Sequence, residues 1–217
     1  MALDYTAWLK RLRDVAAALS LRPIDVQLKI GEPFSSEEMQ NEESYFAGVT
    51  GQPNFKFQES LRALYLAARS VSFRWQTRAG GTIQPLFGGM ELVPLALLYE
   101  ADPELNVHEP WHGRWRTLDG WSAVTQVVLR FNENGAAALA YRSIEGGTES
   151  IRPLELSVDE YFDLSLAACC IDAWPLLFAQ NSKILSPEHV EDIYAALNEI
   201  SPPANLAALR RCRNESR

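Results

Sequence analysis

The chain has few cysteines. Cys169, Cys170 and Cys212 among 217 residues make no even disulfide framework, and the two adjacent ones cannot bridge without strain. A disulfide-stapled scaffold is excluded and a reducing compartment, the cytoplasm, is expected. Long apolar runs are also missing: no stretch approaches the roughly 20 residues of a membrane span. Asp4, Lys10, Arg11, Arg13 and Asp14 interrupt the region where a signal peptide needs its apolar core, so neither membrane insertion nor export is expected. Basic charge is in deficit, with 20 Lys and Arg against 28 Asp and Glu and a net charge of −8. Such a chain repels phosphate backbones, which argues against general nucleic-acid binding and suits a basic protein partner. The glycine pairs at 80–81, 88–89 and 146–147 lack both the G-x-G-x-x-G spacing and the Gly-Lys-Ser/Thr ending, so nothing supports phosphate cradling or a nucleotide cofactor.

What is present is ample apolar material, 47% of the chain, enough for one sizeable core in a single domain of residues 1–217. Tyr5, Trp8, Leu9, Leu12, Val15, Ala16 and Leu19 fall on one helical stripe, predicting an N-terminal helical addition within residues 1–30. A helix from Glu37 to Ala47 is predicted, capped by Ser35 or Ser36, before a loop at 48–54. Leu61, Leu64, Tyr65 and Ala68 recur at helical spacing, and Val71, Phe73 and Trp75 then alternate as a strand. A short strand is expected near Thr82 to Leu86 and a turn at Gly88-Gly89. The apolar run Leu92 to Tyr99 is restricted by Pro94 to an edge strand or an irregular connection. The alternation from Ala123 to Phe131, the Asn132-Glu133-Asn134-Gly135 turn and the run Ala136 to Arg142 predict a hairpin, with a third strand near Thr148 to Arg152. Ser157-Val-Asp-Glu160 fits a capping box, predicting a helix to about Ile171, and another helix follows Pro187 within a C-terminal extension at 186–217. The fold class expected is α+β, an antiparallel or mixed sheet over roughly 71–152 flanked by helices.

Motifs carrying chemistry are scarce. His108-Glu109-Pro110-Trp111-His112 has the letters of the H-E-x-x-H zinc pattern, but Pro110 denies the histidines a shared helical face, and no metal is expected there. No catalytic residue is assigned, and a metal-dependent hydrolase on His108 and His112 is the alternative of last resort. Recognition features are better represented. Glu37, Glu38, Glu42 and Glu43, with Glu104 and Glu109, form acid-rich stretches. Trp111, Arg114 and Trp115 supply the residue types that dominate interface hot spots, although both tryptophans also suit a core. In an extended Trp111–Arg116 segment, Trp111, Gly113 and Trp115 would share one face and His112, Arg114 and Arg116 the other. Cys169 and Cys170, in an apolar helix, read as buried structural thiols.

The segment Glu59-Ser60-Leu61-Arg62-Ala63-Leu64-Tyr65, followed by Phe73-Arg74-Trp75 and a glycine turn, resembles the start of SUKH-superfamily domains. The later segment, Pro153-Leu154-Glu155-Leu156-Ser157 through Glu160-Tyr161-Phe162 to Trp174, resembles their closing helix. The likeness spans residues 40–178. It departs at Gln58, where the family favours proline. The resemblance implies a non-enzymatic immunity protein that binds a cognate toxin domain and occludes its active site. It equally admits a regulatory or scaffold binding module on the same fold. With the acidic stretches, a toxin carrying a basic patch is the partner expected, through Glu37, Glu38, Glu42, Glu43, Glu104, Glu109, Trp111, Arg114 and Trp115.

Overall fold

The computed structural model describes residues 2–53, 55–78, 85–99, 114–132, 136–145, 148–180, 187–200, 205–207 and 209–210. Seven antiparallel strands follow one another across a single sheet in chain order: β1 (Ile24–Ile30), β2 (Val71–Thr77), β3 (Phe87–Leu92), β4 (Arg116–Asp119), β5 (Thr125–Phe131), β6 (Ala137–Glu145) and β7 (Thr148–Pro153). The helices are α1 (Tyr5–Ser20), α2 (Ser36–Thr50), α3 (Glu59–Ala67), α4 (Val158–Ala167) and α5 (Pro187–Ile200). The fold is therefore α+β with an antiparallel sheet.

Period-two alternation decides which side of the sheet carries the core. Val71, Phe73 and Trp75 of β2, Met90 and Leu92 of β3, Val127, Leu129 and Phe131 of β5, and Leu139 and Tyr141 of β6 join the buried stripes of α1, α3 and α4 in one apolar cluster. Trp8 of α1 is fully buried and donates its indole N–H to the Phe162 carbonyl at 2.7 Å, while Tyr5 donates to Asp159 at 2.8 Å, so α1 is pinned to α4. Phe46, Phe55, Phe57 and Phe131 close one end of the core, with ring centroids 4.8–6.1 Å apart. On the other face the alternate positions are polar: Asp25, Gln27, Lys29, Arg74, Gln76 and Arg130 are exposed. Apolar residues on that face include Val128 and Ala140, both buried, and the exposed Phe87 and Ile144.

Both capping boxes are complete. Ser35 caps α2 with Glu38 reaching back, and Ser157 caps α4 with Glu160 doing the same. Helix α3 begins without a side-chain cap; Gln58, at its N-cap, instead accepts the Ala137 N–H of β6 at 2.9 Å. Gln58 thus ties a helix start to the sheet.

Several sequence expectations are corrected. Residues 24–30 are strand β1, paired along its whole length with β2, so the N-terminal region is part of the sheet as well as a helix. Gly88 and Gly89 lie inside β3 rather than in a turn. Beyond β3 the Pro94 run becomes a 3-10 turn at Leu95–Tyr99, the irregular option. Helix α2 runs on to Thr50 before Gly51 ends it in the left-handed conformation. Helix α4 stops at Ala167, short of Ile171, because Cys169 and Cys170 have φ of 47° and 51°. The strand expected near Thr82 lies mostly outside the described residues.

Candidate binding groove at a division in the sheet

β2 and β3 pair over six positions, but β3 and β4 pair in register only at Leu92 and Asp119. Where β4 departs, the segment after α4 takes its place. Gly89 donates its N–H to the Cys170 carbonyl at 2.8 Å, Asp172 donates to the Phe87 carbonyl at 3.2 Å, and Gly88 bridges Ile171. Bringing the chain there requires left-handed backbone at three non-glycine residues, Cys169, Cys170 and Ala173, which costs roughly 1–3 kcal/mol each. The conformation persists because both cysteine carbonyls are engaged: Cys169 accepts the Trp75 indole N–H at 2.7 Å and Cys170 the Gly89 N–H.

The glycine pair is explained by the same packing. A Cβ on Gly88 would stand 2.4 Å from the Cys170 carbonyl oxygen and 2.7 Å from the Trp75 ring. On the opposite face, a Cβ on Gly89 would stand 2.9 Å from the Trp121 ring. Trp121 therefore lies directly over bare backbone.

At the division sits the buried carboxylate of Asp119. Its Oδ1 accepts the Glu91 N–H at 2.7 Å and the Trp121 N–H at 3.3 Å, and its Oδ2 accepts the Tyr161 hydroxyl at 2.6 Å. The side chain stands in for ladder acceptors that β4 does not supply, joining β3, the Trp121 turn and α4. Burial raises the Asp119 pKa above the usual carboxylate range, opposed in part by these donors, and burial likewise raises the Tyr161 hydroxyl and the Cys170 thiol. Beside it Asp172, also raised by burial, accepts from Thr125 at 3.3 Å. The recess enclosed here measures about 10 Å³, room for no more than one water. Both Asp119 oxygens already accept hydrogen bonds and the neighbouring thiol is held protonated. The cluster splints β3, the Trp121 turn and α4 together.

Beyond Trp121 the open sheet face carries a larger groove of about 640 Å³, bordered by Asp25, Gln27, Arg74, Gln76, Phe87 and Trp121. Phe87 is 44% exposed, and its ring centroid lies 5.8 Å from that of Trp121. Arg74 pairs with Glu91, and Arg78 with Asp25 at 2.9 Å, so charges of both signs rim an aromatic floor.

Those residues singled out from the sequence that the structure describes, on α2 and at the start of β4, fall at the other end of the sheet. Glu37 is exposed on α2 and Glu42 is half-buried. Glu38 is committed to its capping box and to Arg69, which together hold its pKa down to about 2, the Ser35 N–H contributing most. Glu43 departs from the expected acidic face. It shares the inward stripe of Met39 and Phe46, is 2% exposed, and meets Lys56 at 3.1 Å and Arg62 at 3.5 Å. Trp115 and Arg114 are half-buried, with the Arg130 guanidinium 4.9 Å from the Trp115 ring centre. Arg116, expected beside Arg114 on a polar face, is instead 1% exposed over Phe131; desolvation, then Arg114, lowers its pKa to about 10. Phe131 contacts both Arg116 and Phe46, so α2 and the Trp115 end of β4 share one corner of the molecule. Glu104, Glu109, Trp111, His108 and His112 lie outside the described residues, among which no group of His, Cys, Asp or Glu could hold a metal. No described helix is long and apolar enough to cross a membrane.

Sequence reasoning missed Phe87, Trp121 and Asp119. The signal available was Gly88-Gly89 following an aromatic strand: glycine inside a strand marks a close approach by another group. Comparison with protein-family models, curated proteins and solved structures returns no match for this chain.

Proposed function

We propose that this chain is a protein-binding module of the toxin-neutralising kind that its SUKH-like segments imply. Its partner is a cognate toxin domain with a basic patch, bound by the open sheet face around Trp121. The observation that carries this reading is the aromatic floor of the groove. Trp121 is seated on bare Gly89 beside an exposed Phe87, with Arg74 at the rim, among the polar side chains of Asp25, Gln27 and Gln76. Tryptophan and arginine are the residues most enriched in interface hot spots. The net charge of −8 suits a basic partner, and exposed Glu37 adds to the field that steers it.

The test is co-expression with the product of the neighbouring open reading frame, followed by calorimetric titration. A one-to-one complex is expected, weakened about 30-fold by Trp121→Ala, the scale of a hot-spot residue. Absence of a complex, or full affinity in the Trp121 variant, defeats the reading. Binding of several unrelated proteins in place of that product would point to the regulatory module.

A further inference from the structure

The two edges of the sheet differ. At β7 the strand ends in Pro153, whose carbonyl accepts the Gln180 N–H at 2.8 Å, while Glu155 donates to the Phe178 carbonyl at 2.9 Å, so that margin is partly closed. At β1, among the described residues, no strand pairs with the outer margin. Register fixes which backbone groups face outward. Gly31 donates to the Ser70 carbonyl and Arg78 to the Pro23 carbonyl, so the odd-numbered residues of β1 turn their N–H and C=O toward β2. The even-numbered Ile24, Val26, Leu28 and Ile30 turn theirs away. Ile24 N–H is taken by the Arg22 carbonyl, whereas among the described residues Val26, Leu28 and Ile30 make no outward hydrogen bond.

The sequence along this margin, Ile24-Asp-Val-Gln-Leu-Lys-Ile30, is complementary to itself when reversed. Centred on Gln27, an antiparallel copy sets Val26 opposite Leu28 and Ile24 opposite Ile30, and all four are residues whose backbone groups face outward. It sets Asp25 opposite Lys29 twice, at the closer non-hydrogen-bonded positions where side chains interact most strongly. Asp25 and Lys29 are both exposed, the Asp25 side chain at 70%. A lone lysine in an exposed edge strand ordinarily discourages pairing; in this register it meets a carboxylate.

The geometry points to a second copy of this chain as the occupant of the β1 edge, forming a two-fold dimer whose sheet runs continuously through both protomers. Self-complementary register within one strand is what an isologous interface requires. The inference does not depend on the toxin-binding reading, since it needs no partner, although Asp25 and Gln27 border the groove as well as the edge.

Sedimentation of the full chain over a roughly hundredfold concentration range is expected to show a monomer–dimer equilibrium. The amides of Val26, Leu28 and Ile30 should gain exchange protection as the dimer forms. Asp25→Lys opposes two lysine pairs and Lys29→Asp two carboxylate pairs, so each variant alone should dimerise about tenfold or more weakly. Mixed together they restore both complementary pairs, and a heterodimer should appear. Val26→Pro removes an outward N–H while leaving the β1–β2 ladder intact, and should also give monomer. Both charge changes fall on exposed side chains, so they report on pairing even if the proline variant misfolds. A wild type that stays monomeric throughout, or charge variants that each dimerise as wild type does, overturns the inference. A mixture that forms no heterodimer overturns the proposed register.

Discussion

Asp119 shows how a single side chain takes over a job the backbone leaves undone. Its three donors come from β3, the Trp121 turn and α4, and burial, with a smaller push from the Glu91 charge, raises its pKa. The sign follows from proton uptake. Above the unfolded carboxylate value near pH 4 the folded state holds this proton more tightly, so ionisation weakens the fold as pH rises through that window. Asparagine keeps an acceptor for the two N–H groups and, like the protonated carboxyl, can donate to the Tyr161 oxygen, removing the charge while only the Tyr161 hydroxyl hydrogen loses this acceptor. Asp119→Asn should therefore match or exceed wild-type stability at neutral pH, with the difference vanishing near pH 4. Asp119→Ala should lose about 2–4 kcal/mol by leaving buried donors unpaired. Denaturant melts of all three proteins across this pH range decide it, and comparison at each pH cancels Glu38, whose depressed pKa contributes stability lost on acidification. Equal damage from asparagine and alanine would show that the carboxylate charge itself is needed.

At the scale of elements, the division between β3 and β4 rests on Gly88 and Gly89, pressed from opposite faces. Gly88→Ala drives its Cβ against the Cys170 carbonyl and Trp75 ring, so the 170–172 segment must leave the sheet and the Trp75–Cys169 bond breaks. A loss of about 3 kcal/mol or more is expected, from overpacking plus an orphaned buried indole. Gly89→Ala meets the movable Trp121 ring as well as the Phe73 carbonyl, and should cost less while shifting the fluorescence of Trp121. The reverse order of damage in thermal melts would mean that the segment after α4 is not the rigid wall described. Core truncation is simpler: Phe131→Ala and Trp174→Ala, each removing a buried ring, should each cost about 3–5 kcal/mol.

At the scale of the molecule, charge and contact surface are separated. Carboxylates already engaged inside the protein steer a partner weakly, which sets Glu43 and Glu38 apart from exposed Glu37. Reversing Glu37 to lysine should slow association with the proposed partner and flatten its salt dependence, leaving dissociation nearly unchanged; Trp121→Ala should mainly speed dissociation. Surface-binding kinetics at two salt concentrations measure both. If the charge reversal leaves association untouched, attraction comes from another part of the surface.

Local pattern in the sequence determined the helices α1, α3, α4 and α5, the β5–β6 hairpin, both glutamate-closed caps and the burial of Val71, Phe73 and Trp75, because each depends on periodicity or capping within a few residues. Even the inward turn of Glu43 is written in its spacing from Met39 and Phe46. Strand β1 was less legible, since its Asp25, Gln27 and Lys29 alternate with apolar residues that remain half-exposed at a sheet margin. The groove could not be read locally. Trp121 lies 32 residues from Gly89 in sequence, and Asp119 lies 42 from Tyr161. Only the tertiary path, with a strained segment displacing β4 from β3, brings them together, and that path is set by packing between elements distant along the chain.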